Sequence, residues 1–167
     1  IKGGNDMDTL CQLEQVVFDK TGTLTKGKFS VTEGKGDVLK LAAIGEIMSN
    51  HPIAKAIVEA YEGETPSAEN YQELGGYGIS YTLDGETVLL GNSRLMEKEN
   101  ISFVKAEGIG TAVYVAKGGR FLGYILVADT LKENIRDSLL ALKAQGVKQM
   151  VMLTGDRKET AEAVAKE

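Results

Sequence analysis

The sequence has one cysteine, Cys11, so it can close no internal disulfide and build no thiolate metal site from its own residues. A reducing, cytosolic setting is the expectation, with Cys11 acting as a small buried apolar residue. Nowhere do several Lys or Arg gather without intervening acids, and the formal net charge is -5. The basic footprint that nucleic-acid phosphates require is therefore missing, and no nucleic-acid partner is expected. Apolar runs such as Val16 to Phe18 and Tyr124 to Ala128 fall far short of the ~20 residues that cross a bilayer. The stretch Ile1 to Gly4 lacks the basic start and long apolar segment of a signal peptide, and there is no initiator Met. The chain is expected to be a piece of something longer.

What remains is an ordinary globular composition, 43% hydrophobic and 26% charged over 167 residues. A chain of that length buries roughly 70% of its unfolded surface, enough for one or two small domains. Val16-Val17-Phe18 is a β-branched and aromatic run that stops at Asp19 and gives way to small and polar residues through Gly27. It predicts a buried strand opening into a loop, with Asp19 at the strand's carboxyl end. Residues 37–48 carry apolar residues at helical spacing, and Pro52 suits the first position of a second helix ending near Gly63, so a helical hairpin is expected.

From Tyr71 to Val127 the pattern is one of strands, with hairpin turns at Asp84-Gly85 and Gly118-Gly119 and a short helix capped by Asn92. From Lys132 it becomes helix, strand over 147–153, then helix from Lys158. The ends of the chain thus read as parallel α/β structure and the middle as an insertion: residues 1–30 and 128–167 form one discontinuous domain, and 31–127 the inserted one.

Ligands of open parallel sheets collect beyond the carboxyl ends of the strands. Two motifs fall there: Asp19-Lys20-Thr21-Gly22-Thr23-Leu24-Thr25 and Thr154-Gly155-Asp156. An ionised carboxylate can attack a phosphoryl group without a base to activate it. The obstacle is the approach of anion to anion, which Mg²⁺ and hydrogen-bond donors must offset. Thr21, Gly22, Thr23, Thr154 and Gly155 offer hydroxyls and approachable N–H groups.

The seven residues DKTGTLT resemble the phosphorylation signature of P-type ATPases, and TGD at 154–156 resembles a second signature of their phosphorylation domain. The resemblance implies an α/β fold with a haloacid dehalogenase-like parallel-sheet core, incomplete here, and an inserted α+β nucleotide-binding domain made of an antiparallel sheet and a helical hairpin. It implies that Asp19 is the nucleophile, that Lys20, Thr154, Gly155 and Asp156 surround the phosphate, and that Asp19 and the Thr21 backbone help hold Mg²⁺. Related phosphatases usually carry a second Asp two residues after the nucleophile, where this chain has Thr21. Without that acid, hydrolysis is expected to be slow, as a pump needs.

Ser49-Asn50-His51-Pro52 is similar to the Ser-x-His-Pro motif of the heavy-metal-transporting subgroup, although many members have Glu where Asn50 stands. Gly76-Tyr77-Gly78-Ile79 and Gly91-Asn92 continue the subgroup's pattern. By that resemblance Glu46 and His51 contact the adenine end of ATP, Gly76, Gly78, Ile79 and Gly91 line the nucleotide site, and Lys132 steadies phosphates from the segment Ala128 to Lys132, where the insertion rejoins the core. A further Mg²⁺-binding element, the membrane helices that hold the heavy-metal ion, and the actuator domain are expected elsewhere in the same parent polypeptide. The chain would then sit at the cytoplasmic face of a membrane. A non-enzymatic nucleotide-binding regulatory module and a soluble phosphatase are the alternatives.

Overall fold

The computed structural model describes residues 13–154 and 158–166; Cys11, Gly155 and Asp156 lie outside the described residues. The chain divides into two units, Phe29–Ala128 and a discontinuous one of Ile1–Lys28 with Asp129–Glu167. The element order is β1 (Gln15–Asp19), β2 (Thr25–Glu33), α1 (Asp37–Glu46), α2 (Pro52–Ala60), β3 (Glu69–Leu74), β4 (Gly78–Leu83), β5 (Glu86–Gly91), α3 (Ser93–Lys98), β6 (Thr111–Lys117), β7 (Arg120–Leu131), α4 (Ile135–Ala144), β8 (Gln149–Leu153) and α5 (Lys158–Lys166).

The middle unit is built on an antiparallel sheet ordered β2-β7-β6-β5-β4-β3. Successive residues of β6 point to opposite faces, as the period of a strand requires. Val113 and Val115 join the core beneath α1 and α2, while Tyr114 and Ala116 join a second core with Leu95 and Met96 of α3. Both faces are therefore covered, and β6 is buried from Val113 to Ala116. Ile44, Ile57, Tyr81, Leu90, Val115, Ile125 and Val127 are almost wholly inaccessible. Each such aliphatic residue contributes about 1.5–3 kcal/mol of transfer free energy. The Tyr81 hydroxyl donates to the Leu41 carbonyl at 2.7 Å and ties α1 to the sheet. Burial raises that phenol's pKa.

The discontinuous unit pairs β1 with β8 in parallel, in the register Gln15↔Gln149 through Asp19↔Leu153. Three corrections arise here. Val16 to Phe18 are not fully buried, and Val17 is 51% exposed, because the described parallel sheet has only two strands and leaves that side uncovered. Residues 25–33 form a nine-residue strand at the edge of the six-stranded sheet where a loop is expected through Gly27. Lys26, Gly27 and Lys28 are exposed on that strand, so no apolar alternation marks it. β7 likewise continues past the expected end at Val127 to Leu131, carrying Ala128 and Asp129 within one strand.

Candidate functional site

Parallel pairing brings the carboxyl ends of β1 and β8 to one edge, with Asp19 opposite Leu153 and Thr154 immediately beyond. After Asp19 the chain makes a wide turn over Lys20–Leu24, closed by the Thr25 N–H donating to the Lys20 carbonyl. Thr21 is extended there (φ −75°, ψ 122°) and Gly22 is left-handed (φ 76°), a conformation glycine adopts without the Cβ penalty. Lys20 is buried.

Thr25 fixes this turn from beneath. Its hydroxyl is fully buried, accepts the Gly22 N–H at 3.1 Å and donates to Asp129 Oδ2 at 2.5 Å, with the Lys20 carbonyl at 3.1 Å. Asp129 Oδ1 is buried without a hydrogen-bond partner. Lys132 donates from Nζ to the Gly22 carbonyl at 2.9 Å and from its backbone N–H to the Leu24 carbonyl at 3.0 Å. The Gly22 N–H and C=O are thus both held, and the Lys132 ammonium lies at this turn.

A cleft lies in the middle unit, has a volume of about 490 Å³, and is lined by Glu46, His51, Gly76, Gly78, Ile79 and Gly91 along with Ser49, Tyr71, Glu73 and Asn92. Its size is that of a small-molecule site, roughly 300–1,000 Å³. Two elements place its polar end. Glu46 closes α1; the Ser49 side chain hydrogen-bonds to it, and the Ser49 hydroxyl oxygen accepts the His51 N–H at 3.3 Å. His51 caps α2, its Nδ1 accepting the Ile53 N–H at 3.2 Å. A neutral imidazole that accepts at Nδ1 carries its proton on Nε2, which makes Nε2–H a donor.

Burial raises the Glu46 pKa above the usual carboxylate value, and the Ser49 hydrogen bond offsets part of that rise. Tyr71 is raised too, first by burial and then by the charges of Glu73 and Glu46. Among the described residues, those lining the cleft include two carboxylates and no Lys or Arg. Such a lining accepts N–H donors and repels phosphate.

Gly78 and Gly91 face each other across β4 and β5, and each has the backbone of the opposite strand or its lead-in too close for a side chain. A Cβ on Gly78 would lie 2.0 Å from the Leu90 carbonyl oxygen, and one on Gly91 would lie 2.2 Å from that of Tyr77. Gly76 differs: a Cβ there meets nothing within 4 Å, and the position needs glycine for its left-handed φ of 77°. Asn50 is exposed and outside the lining, so its departure from the usual Glu leaves the cleft's composition unchanged. The sequence alone gives no role to Tyr71 or Glu73, and gives Asn92 one only as the cap of the short helix and as part of the Gly91-Asn92 element. Ser49 stands in the quoted motif, but the bonds it makes appear only once α1 and α2 are folded.

Among the described residues no cluster of three His, Cys, Asp or Glu could hold a metal ion. Asp19 and the Thr21 carbonyl are hard oxygen donors, the kind Mg²⁺ takes when most of its shell is water and substrate phosphate.

The description of haloacid dehalogenase-like hydrolases matches residues 13–167. The chain is 45% identical over 177 residues to the cadmium, zinc and cobalt-transporting ATPase of Bacillus subtilis (strain 168), covering 100% of this chain and 25% of that protein. It is 39% identical over 180 residues to the copper-exporting P-type ATPase of Staphylococcus haemolyticus, covering 99% of this chain and 22% of that protein. A zinc-transporting PIB-type ATPase crystallised in an E2·Pi state superposes with a TM-score of 0.81 at 35% identity, covering 99% of this chain and 30% of that one. The chain spans about a quarter of the length of the curated relatives it matches.

Proposed function

The chain belongs to the haloacid dehalogenase-like hydrolases, on their heavy-metal P-type ATPase branch, and from that premise we propose that it is the ATP-binding and phosphorylation region of a metal-transporting pump. Phe29–Ala128 binds the nucleotide, and the discontinuous unit carries the phosphorylated Asp19. The observation that carries the reading is Asp19 at the end of a parallel strand, beside Thr154 and above a turn whose Gly22 peptide is bonded on both sides.

In this mechanism the acidic cleft takes the base. The Glu46 carboxyl accepts from the exocyclic amine of adenine, and His51 offers its Nε2–H. The triphosphate, repelled by Glu46 and Glu73, points outward. A carboxylate oxygen of Asp19 attacks the γ-phosphorus; the new O–P bond forms as the bond to the bridging oxygen breaks, and the electron pair leaves on ADP. Lys132 and Thr25 act earlier, by holding the turn that aims Asp19. Asp19 and the Thr21 carbonyl would hold Mg²⁺, which when bound neutralises charge on the phosphates.

Thr21 argues against a soluble phosphatase, since no acid stands there to activate water. Coupling to transport belongs to membrane and actuator parts of the parent polypeptide, with this region on the cytoplasmic face. Among the described residues no helix is long and apolar enough to cross a membrane. Titrating the isolated chain with ATP tests the nucleotide half. Shifts at the His51, Gly76 and Gly78 amides are expected, and unchanged spectra at millimolar ATP would overturn it.

A further inference from the structure

We propose that Arg94, to which neither the sequence nor the cleft lining assigns a role, is a positioning residue that latches the glycine turn of the cleft. The proposal rests on the nucleotide reading above. The turn runs from Leu74 to Tyr77 and is closed by the Tyr77 N–H donating to the Leu74 carbonyl at 2.8 Å. Its two central residues are Gly75 and Gly76, and a Cβ on either would meet nothing within 4 Å. Neither glycine has a side chain to anchor the turn, and two adjacent glycines are the costliest residues to order. Something outside the turn must hold it.

Arg94 Nη2 and Asn92 Nδ2 both donate to the Gly76 carbonyl, each at 2.9 Å, which occupies both of that oxygen's lone pairs. The Gly76 carbonyl and the Tyr77 N–H belong to one peptide plane, so that plane is bonded at both ends. The Asn92 N–H donates to the next carbonyl, Tyr77, at 2.9 Å. Asn92 is itself immobilised, because its Oδ1 caps α3 by accepting the Leu95 N–H at 3.2 Å.

Arg94 is exposed but held at a second point. Its guanidinium lies 5.7 Å from the centroid of the Tyr77 ring, and the Lys98 ammonium lies 4.8 Å from the same ring. Arg94 does not line the cleft. Its contribution is to hold the turn in its binding shape beforehand, so that the entropy of ordering two glycines is not charged against the ligand.

The test compares the 167-residue chain with Arg94→Met, which keeps the stem and loses the donors, and with Arg94→Lys, which keeps a cation and a donor. ATP and adenosine are titrated into each. Arg94→Met is expected to weaken both by the same factor, about threefold to tenfold. The Gly76 and Tyr77 amide resonances should move before any nucleotide is added, the melting temperature should stay within about 2 °C, and Arg94→Lys should recover part of the affinity. Unchanged affinity in Arg94→Met would overturn the latch. So would a loss confined to ATP, which would make Arg94 a phosphate contact, or a loss that tracks a lowered melting temperature. If the unaltered chain bound neither ATP nor adenosine, the nucleotide reading would fall first and the latch with it.

Discussion

At His51 the two ring nitrogens have different tasks in the proposed function, since Nδ1 accepts the Ile53 N–H and Nε2–H is assigned to the nucleotide. The tasks separate by substitution. His51→Ala removes cap and donor, and should cost about 0.5–2 kcal/mol of stability as well as nucleotide affinity. His51→Asn keeps a good cap, so chemical denaturation should show a change of under about 0.5 kcal/mol while ATP affinity still falls roughly tenfold. Full affinity in His51→Asn would remove the ring from the site. Glu46 sets stability against binding in the same way. Its folded pKa is raised above 4.5, so the folded chain holds that proton more tightly than the unfolded one. Lowering the pH through the raised pKa favours folding by this group's share, and raising it again takes the share away. At a pH where Glu46 is ionised, Glu46→Gln should therefore melt higher than the unaltered chain, bind ATP more weakly, and lack the fall in affinity expected of the unaltered chain on acidification. Calorimetry and ATP titration over a series of falling pH check both signs.

The turn after β1 is tied together by one buried hydroxyl. Thr25→Val keeps the shape but strands the Gly22 N–H and leaves Asp129 with two unbonded oxygens, which should cost about 2–3 kcal/mol in denaturant unfolding. Thr25→Ser should recover most of that loss. A neutral Thr25→Val would mean that the turn is held elsewhere. The inner elements are legible in the sequence because their signals are local. Asp84-Gly85 and Gly118-Gly119 announce hairpins, and β6 alternates between two cores. The edge strands are not legible: β2 and the polar strand β3 satisfy their backbones on one side only and bury too little to leave an apolar period. Among the site residues, Asp19, Glu46 and His51 can be named from their motifs, but their bonds cannot. That Ser49 links Glu46 to His51, that Lys132 reaches the Gly22 carbonyl, and that Gly78 faces Gly91 all depend on chain segments meeting after folding.

The two units differ in how much core they own. Phe29–Ala128 buries residues on both faces of its sheet, whereas α4 has no buried residue and Val17, Leu140 and Leu153 are 51%, 55% and 58% exposed. An apolar groove of about 370 Å³, lined by Phe18, Leu24, Leu139, Met150 and Met152, runs through the discontinuous unit. A two-stranded sheet is marginal alone. Hydrogen exchange on the isolated chain should accordingly show the amides of β4, β5 and β6 protected about a hundredfold or more beyond those of β1 and β8. Equal protection would refute this distribution of stability. The proposed phosphoryl chemistry asks for more than either unit provides, so its test belongs to the proposed full-length pump. The parent protein, given ATP labelled in its γ-phosphate with magnesium and its cargo ion, should acquire an acid-stable, hydroxylamine-sensitive label that maps to position 19 and disappears in Asp19→Asn. A label that persists in Asp19→Asn, or its absence from the unaltered pump, would contradict the account.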